Sequence, residues 1–207
     1  MRFIFTDNPT NFLINKQKSI DACTKDWILQ LDADEIVSSA LKKEILDTLK
    51  DPRADGYWIP RLNFFLGKPL RKGGQYPDGV LRLYKKGSAK LALKTVHDQV
   101  TVDGNTTWLT KDLHHYAWTS FQHFLQKWTI YAIQEGDDAW DRGERPGLFR
   151  ALEYIVWKPL WWVIWTFGRH RGYVDGWTGF VFSLFSGLRF IPAYVRLTEI
   201  EREKKSQ

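Results

Sequence analysis

One cysteine occurs in 207 residues, so Cys23 has no partner for an internal disulfide, a pattern that suits a reducing compartment. It reads as a packing residue rather than a reactive one. The chain also lacks an uninterrupted apolar run of the roughly 20 residues that a spanning helix requires. One apolar stretch, residues 154–167, is interrupted by Lys158 and Pro159, and a second, Trp177 to Tyr194, holds Gly179, Gly187, Arg189 and Pro192. No internal repeat or low-complexity tract occurs. Met1 to Phe5 runs straight into Asp7, Asn8 and Pro9 without the pattern of a secretory signal, and cytoplasmic residence is the expectation. Lysine and arginine are spread out and form no nucleic-acid module, which sets that partner aside despite a net charge of +6.

Hydrophobic residues make up 43% of the chain and aromatics 15%, enough for one full domain plus an appendage and incompatible with a disordered chain. The 11 tryptophans exceed ordinary globular usage and point to an interface with lipid. The positive charge then suits anionic lipid or phosphorylated substrates.

The rest of the chain is organised around Asp26 to Val37, which reads Asp-Trp-Ile-Leu-Gln-Leu-Asp-Ala-Asp-Glu-Ile-Val. Trp27 to Leu31 is an apolar run of strand length that delivers Asp32 and Asp34 at its end. Successive side chains of an extended segment point to opposite faces, which sets Asp32 and Asp34 on one side and Ala33 on the other. Two carboxylates so placed, beyond the carboxyl end of a strand, can share a hard cation such as Mg²⁺ or Mn²⁺ that keeps places for water and substrate phosphates. The chemistry is metal-assisted departure of a phosphate or nucleotide. The bland alternative is a solvated acidic turn, with Glu35 merely favouring the positive end of the next helix.

Asn15 to Thr24 has helical character, with Ile20 and Cys23 on one side. Ser38 or Ser39 offers an N-cap to a helix carrying Leu41, Ile45, Leu46 and Leu49, stopped by Asp51-Pro52. From Gly56 to Gly104 the period changes to strands at Tyr57-Trp58-Ile59, Val80 to Tyr84 and Val96 to Val102, separated by glycine-rich turns. Arg82 alternates with Leu81 and Leu83, which places it on the opposite face from them, where its fork can pair an anionic ligand oxygen or a surface carboxylate. Asp98, beside His97, is positioned to accept a proton from an acceptor hydroxyl, and His115 of the His114-His115 pair can complete a divalent site, although each histidine also has a purely structural reading. Ser120 to Trp140 is helical, with Phe121, Phe124, Leu125, Trp128, Ala132 and Ile133 along one broad face, and residues 143–147 interrupt it.

From Leu148 onward the chain is apolar, aromatic and basic together, and residues 154–167 lead into Gly168-Arg169-His170-Arg171. This reads as an interfacial segment, tryptophans at headgroup depth and arginines toward anionic lipid, followed by a second helix lying on or dipping into the surface. The alternative is a tryptophan-rich helical pair that completes a soluble core. Thr198 to Gln207 is a charged tail.

Taken in order, Asp26 to Glu35, Arg61-Leu62-Asn63 with Gly67-Lys68, Tyr76-Pro77-Asp78, Leu81-Arg82-Leu83-Tyr84, Val96-His97-Asp98, Leu113-His114-His115-Tyr116 and Gly172 to Phe180 resemble family 2 glycosyltransferases, specifically their lipopolysaccharide-core glucosyltransferase-like branch. The resemblance covers nearly the whole chain. It implies an α/β fold of the GT-A type over residues 1–117, a mixed sheet with flanking helices that is incomplete at its N-terminus. Residues 118–207 would form a helical, aromatic-rich membrane-interface region. It further implies inverting transfer of a hexose from a nucleotide-sugar donor to a lipid-linked or lipopolysaccharide-core acceptor, at the inner face of the cell membrane. Asp32 and Asp34 correspond to the donor and metal site, with Arg82 beside them. Asp98 falls where many relatives carry Glu and corresponds to the base. Family members place a nucleotide-gripping strand, helix and acidic residue ahead of the Asp-x-Asp pair, whereas 31 residues precede Asp32 here, so weak or absent turnover by this chain is the expectation.

Two other classes share some of these features. Haloacid dehalogenase-type phosphatases also end an apolar strand in Asp-x-Asp, the first acting as nucleophile. Ile36 stands where that motif wants Thr or Val, and the later Lys and acidic pair are not evident. A non-catalytic module binding an anionic membrane surface through the Trp- and Arg-rich tail would lose vesicle binding in salt and keep it without Asp34.

Overall fold

The computed structural model describes residues 13–91 and 100–206, whose contacts divide them into two units. The first holds the described residues up to Leu62 together with Pro77–His115, and the second holds Asn63–Tyr76 and everything from Tyr116.

In chain order the first unit contains α1 (Leu13–Asp21), β1 (Trp27–Leu29), β2 (Glu35–Val37), α2 (Ser39–Thr48) and β3 (Gly56–Phe65), the last of which runs on into the second unit along with the short β4 (Lys68–Pro69). It continues with β5 (Asp78–Lys85), β6 (Ala89–Leu91), β7 (Val100–Val102), β8 (Thr106–Trp108) and the start of β9 (Leu113–Trp118). The main sheet has the order β1-β5-β3-β9-β2. β1 with β5, β5 with β3 and β9 with β2 are antiparallel, while β8 runs parallel to β3, so the sheet is mixed. β6 and β7 form a separate antiparallel pair. Of the expected strand over Val96 to Val102, residues 96–99 lie outside the described residues.

The sheet carries apolar clusters whose members interleave along β5. Leu41 and Ile45 of α2 pack with Tyr57, Ile59, Val80 and Leu83, whereas Ile20 of α1 packs with Ile28, Leu81, Tyr84 and Val100. Cys23 joins the second cluster, next to Ile20. α2 begins as its sequence dictates: the Ser38 hydroxyl accepts from the Leu41 amide at 3.1 Å and donates to the Asp112 carbonyl at 3.1 Å, capping the helix and tying it to the approach to β9.

Three local expectations change. The strand before the acidic stretch ends at Leu29, not Leu31, and Asp32 to Glu35 is a turn in which the Glu35 amide donates to the Asp32 carbonyl at 3.1 Å. The two-residue alternation used to put Asp32 and Asp34 on one face therefore has no extended segment to act on. The expected strand at 57–59 reaches Phe65, passing through Pro60, whose missing amide hydrogen argues against a central strand. The simple alternation about Arg82 also fails. Tyr57 pairs with Leu83 but Trp58 with Leu81, so β5 carries one extra residue, Arg82, and Leu81 and Leu83 fall into different clusters. This is a β-bulge, a device that re-aims a side chain.

The second unit is helical: α3 (Phe121–Asp141), then a continuous run over residues 148–169, comprising α4 (Leu148–Leu152), a π-helical turn (Glu153–Trp157), α5 (Lys158–Val163) and a second π turn (Ile164–Arg169). A 3₁₀ turn (Gly172–Asp175), α6 (Gly176–Leu188) and α7 (Phe190–Lys205) follow. The buried stripe of α3 is Phe124, Ala132, Gly136 and Ala139, and Ile133, expected on it, is 41% exposed because it lies one position off that ridge. Among the described residues one helical stretch, Gly172–Lys205, is long and apolar enough by length and composition to cross a membrane.

Glycine sets how closely these helices approach. A Cβ on Gly187 would sit 2.6 Å from the Pro159 carbonyl oxygen and 2.7 Å from the Val163 side chain, so α6 lies against α5 at backbone contact. In an unconstrained helix Gly→Ala stabilises by up to about 1 kcal/mol. Here Gly187→Ala is expected to destabilise by about 1–3 kcal/mol through overpacking. Thermal unfolding followed by circular dichroism decides the sign, and a stabilised variant would mean that the helices do not touch at this point.

Candidate functional site

Strand register brings remote residues of the first unit to the Asp32–Glu35 turn. β1 meets β5 with Leu29 opposite Leu83, and the ladder continues as the Gln30 amide donates to the Arg82 carbonyl at 2.8 Å. The bulged Arg82 therefore lies next to the chain just before Asp32. Its guanidinium donates from one nitrogen to Asp32 at 2.5 Å and to Glu35 at 2.6 Å. On the other side of β5, Arg61 stands opposite Asp78 in the β3–β5 register and forks onto one of its oxygens at 2.9 and 2.7 Å, while its remaining nitrogen reaches Glu35 at 3.3 Å. β9 places His115 directly opposite Glu35, and its Nε2 lies 3.4 Å from Asp34 Oδ2.

Four acids and four basic residues, Lys16 of α1 among them, thus meet at the turn. Glu35 is the hub: its side chain is fully buried, Oε1 accepts from both arginines, and Oε2 accepts from the Asp32 amide at 3.0 Å. Asp32 is held from two sides, by Arg82 and by Lys16 of α1 at 2.6 Å. Burial acts to raise its pKa, but the Lys16 hydrogen bond and the charges of Arg82 and Lys16 outweigh it and hold the carboxyl below its ordinary value. For Arg82, burial acts to lower the pKa and is overcome by the charges of Glu35 and Asp32, so it stays charged. One buried nitrogen of Arg82, Nε, has no hydrogen-bond partner among the described residues. Behind the turn the Tyr84 hydroxyl donates to Gln30 at 2.9 Å, and burial together with neighbouring Cys23 pushes its pKa up to about 12.

Asp34 differs from the other acids. It is half-buried like Asp32, but its ion-pair contact is with His115, whose pKa is lowered by burial and by the charge of Arg61, against the opposing pull of Asp34 and Glu35. A neutral imidazole beside a half-buried carboxylate is a donor pair for a cation. Ligands in adjacent positions around a metal at about 2.0–2.2 Å stand about 3 Å apart, close to the Asp34–His115 separation. Among the described residues no three His, Cys, Asp or Glu side chains form a closed metal cage. Two protein donors suffice for Mg²⁺ or Mn²⁺ when substrate phosphates fill other positions. The residues present fit such a cation at Asp34 and His115, with Asp32 already engaged by its two bases.

Of the residues singled out from sequence, Asp32, Asp34, Arg82 and His115 are gathered at this turn, and Asp98, with His97, lies outside the described residues. Glu35, Arg61, Asp78 and Lys16 were not assigned to the site. A signal existed for Arg61: the one charged residue of a ten-residue, mostly apolar and aromatic strand needs an acid, and Glu35 is the third carboxylate of the stretch.

No protein-family model matches the sequence. The chain is similar to an uncharacterized glycosyltransferase of Rickettsia felis, with 28% identity over 185 residues, 82% of this chain and 63% of that protein. One from Rickettsia typhi is 28% identical over 182 residues, 82% of this chain and 61% of its own length. The lipopolysaccharide core biosynthesis glycosyltransferase LpsC of Rhizobium meliloti is 23% identical over 189 residues, 84% of this chain and 67% of its own. The chain spans about three fifths of the length of the Rickettsia proteins it matches.

Proposed function

We propose that the chain serves glycosyl transfer, moving a sugar from a nucleotide-sugar donor to a glycoconjugate acceptor, with Asp34 and His115 contributing the protein ligands of a divalent cation. The observation that carries this reading is the division among the acids. Asp32 and Glu35 are consumed in holding Arg82 and Arg61, which leaves Asp34 as the carboxylate of the turn whose ion-pair contact is a neutral histidine rather than an arginine or lysine. The similarity to glycosyltransferases supports it. When bound, Mg²⁺ or Mn²⁺ would offset charge on the departing diphosphate.

The protein's own part is then positional. Arg82 and Arg61, both held by Glu35, fix the turn that presents Asp34 beside His115 to the donor. The finer reading is a GT-A enzyme of family 2 that inverts the anomeric centre and transfers a hexose. Its acceptor would be a lipid-linked or lipopolysaccharide-core sugar at the inner membrane face, and Asp98 would take the proton of the attacking hydroxyl. That reading rests on the sequence resemblance.

Calorimetric titration of the intact chain with a panel of nucleoside-diphosphate sugars, with Mn²⁺ and again with excess EDTA, tests the proposal. At least one donor is expected to bind in Mn²⁺ and to lose that binding in EDTA. Binding that ignores EDTA would remove the cation from the site, and absence of binding across the panel would overturn the donor reading.

A further inference from the structure

We propose that the outward face of residues 148–169, with the basic tip beside it, docks on the anionic leaflet of a lipid bilayer. The helical run has its polarity inverted. Its charged residues close on one another around the buried Tyr154: Arg150 lies 2.5 Å and Lys158 3.0 Å from Glu153, Lys158 sits 3.5 Å over the Tyr154 ring, and the Tyr154 hydroxyl donates to Glu144 at 2.8 Å. Phe149, Trp157 and Trp161, in contrast, are 88%, 63% and 50% exposed. A helix facing water has the opposite arrangement.

The exposed rings are also ordered. Trp157, Trp161 and Trp165, four residues apart, stack in succession with centroids 6.4 and 5.6 Å apart, forming a ridge along one side of the helix. Side chains already held in place lose little rotamer freedom on binding. An exposed apolar surface of this extent marks a partner, and the charges around it say which.

Between Arg145 and Thr198 the only acids are Glu153 and Asp175. Glu153 is spent on Arg150 and Lys158. Asp175 accepts from the backbone amides of Arg71 and Lys72 at 3.1 and 2.8 Å, and the Gly73 amide donates to the His170 carbonyl at 3.0 Å. These bonds fasten the loop carrying Arg71 and Lys72 to the segment carrying Arg169 and Arg171, and all four side chains are exposed. The Arg169 guanidinium lies 5.8 Å from the Trp165 ring centroid, so cation and ridge adjoin. Tryptophan beside arginine and lysine, with both acids of the region occupied, matches the headgroup layer of an anionic membrane, where each basic residue near the surface strengthens binding. A second copy of the chain fits less well, because a two-fold contact through this face would set one basic, acid-poor rim against another.

Docking needs neither cation nor nucleotide, so it is separable from glycosyl transfer. The intact chain is floated with vesicles of phosphatidylcholine and phosphatidylglycerol in equal parts and with vesicles of phosphatidylcholine alone, without metal or nucleotide. Binding to the mixed vesicles is expected, weakened by salt. Reversing two surface charges in Arg169→Glu/Arg171→Glu is expected to weaken it by at least about tenfold. Trp157→Ala/Trp161→Ala is expected to weaken it on both vesicle types, with the circular dichroism of both variants unchanged. Asp34→Ala is expected to bind vesicles like the wild type. Failure of the wild type to float, or flotation indifferent to both double variants, would overturn docking, and so would a dimer in sedimentation that the tryptophan variant splits into monomers. Loss of flotation with nucleotide-sugar binding intact would leave the proposed function standing.

Discussion

Replacing Arg82 with methionine is expected to lower the unfolding free energy at pH 7 by about 3–5 kcal/mol, the range for leaving a buried charge without its partner. Glu35 has no exposed side-chain surface, and the shortest contact to its Oε1 is Arg82 at 2.6 Å. Arg61 remains at 3.3 Å and the Asp32 amide at 3.0 Å, which argues for the lower end of that range. Methionine fills much of the same volume, so the loss is mainly electrostatic. Its pH dependence follows from Asp32. A carboxyl whose folded pKa lies below its unfolded one adds stability above the unfolded pKa and loses it as pH falls through the folded pKa. Without Arg82 the Asp32 pKa moves back toward its ordinary value, so that contribution shrinks. The gap between wild type and variant should therefore be full at neutral pH and narrow below the ordinary carboxylate range of roughly 4. Urea unfolding of both proteins at neutral and acid pH measures it, and a gap that stays constant with pH would assign the loss to packing instead.

The same residues show where reading from sequence stops. α2 and its cap at Ser38 follow from local chemistry, because a serine before an apolar 3.6-residue pattern satisfies the first free amides of a helix wherever it occurs. The stripe of α3 was likewise legible in outline, although Ile133, one position off the ridge, and Phe121, in the first turn, are exposed. The bulge at Arg82 could not be read from β5, whose Leu-Arg-Leu-Tyr alternates cleanly, because the extra residue is defined only by the slip in pairing between Tyr57 and Trp58 of β3. The turn at Asp32 to Glu35 depends on Glu35 folding back onto the Asp32 amide, and Glu35 can be buried there only because Arg61 and Arg82 arrive from two distant strands. A carboxylate that local pattern could only set beside the Asp-x-Asp pair becomes the centre of the cluster once those strands pair.

Asp34→Asn and Asp32→Asn should separate ligand binding from stability, although the two residues are one apart. Asp34 is half-buried and its ion-pair contact is a histidine whose pKa burial and Arg61 hold down, so the folded state owes little to its charge. Removing that charge is expected to leave urea unfolding within about 0.5 kcal/mol of wild type, as for surface substitutions generally. Loss of outer-shell groups alone costs metal sites roughly 10–100-fold, so losing a carboxylate ligand should weaken Mn²⁺-dependent nucleotide-sugar binding by at least about 100-fold. Asp32→Asn should behave in the reverse sense on stability. It takes the anionic partner from Lys16 and half the counter-charge from Arg82, and it should destabilise by about 1–3 kcal/mol while leaving the Asp34–His115 donor pair in place. Paired calorimetry and urea titrations on the two variants make the comparison. If Asp34→Asn keeps metal-dependent binding while Asp32→Asn abolishes it without loss of stability, the cation belongs to Asp32, and Lys16 and Arg82 must release that carboxylate when the donor binds.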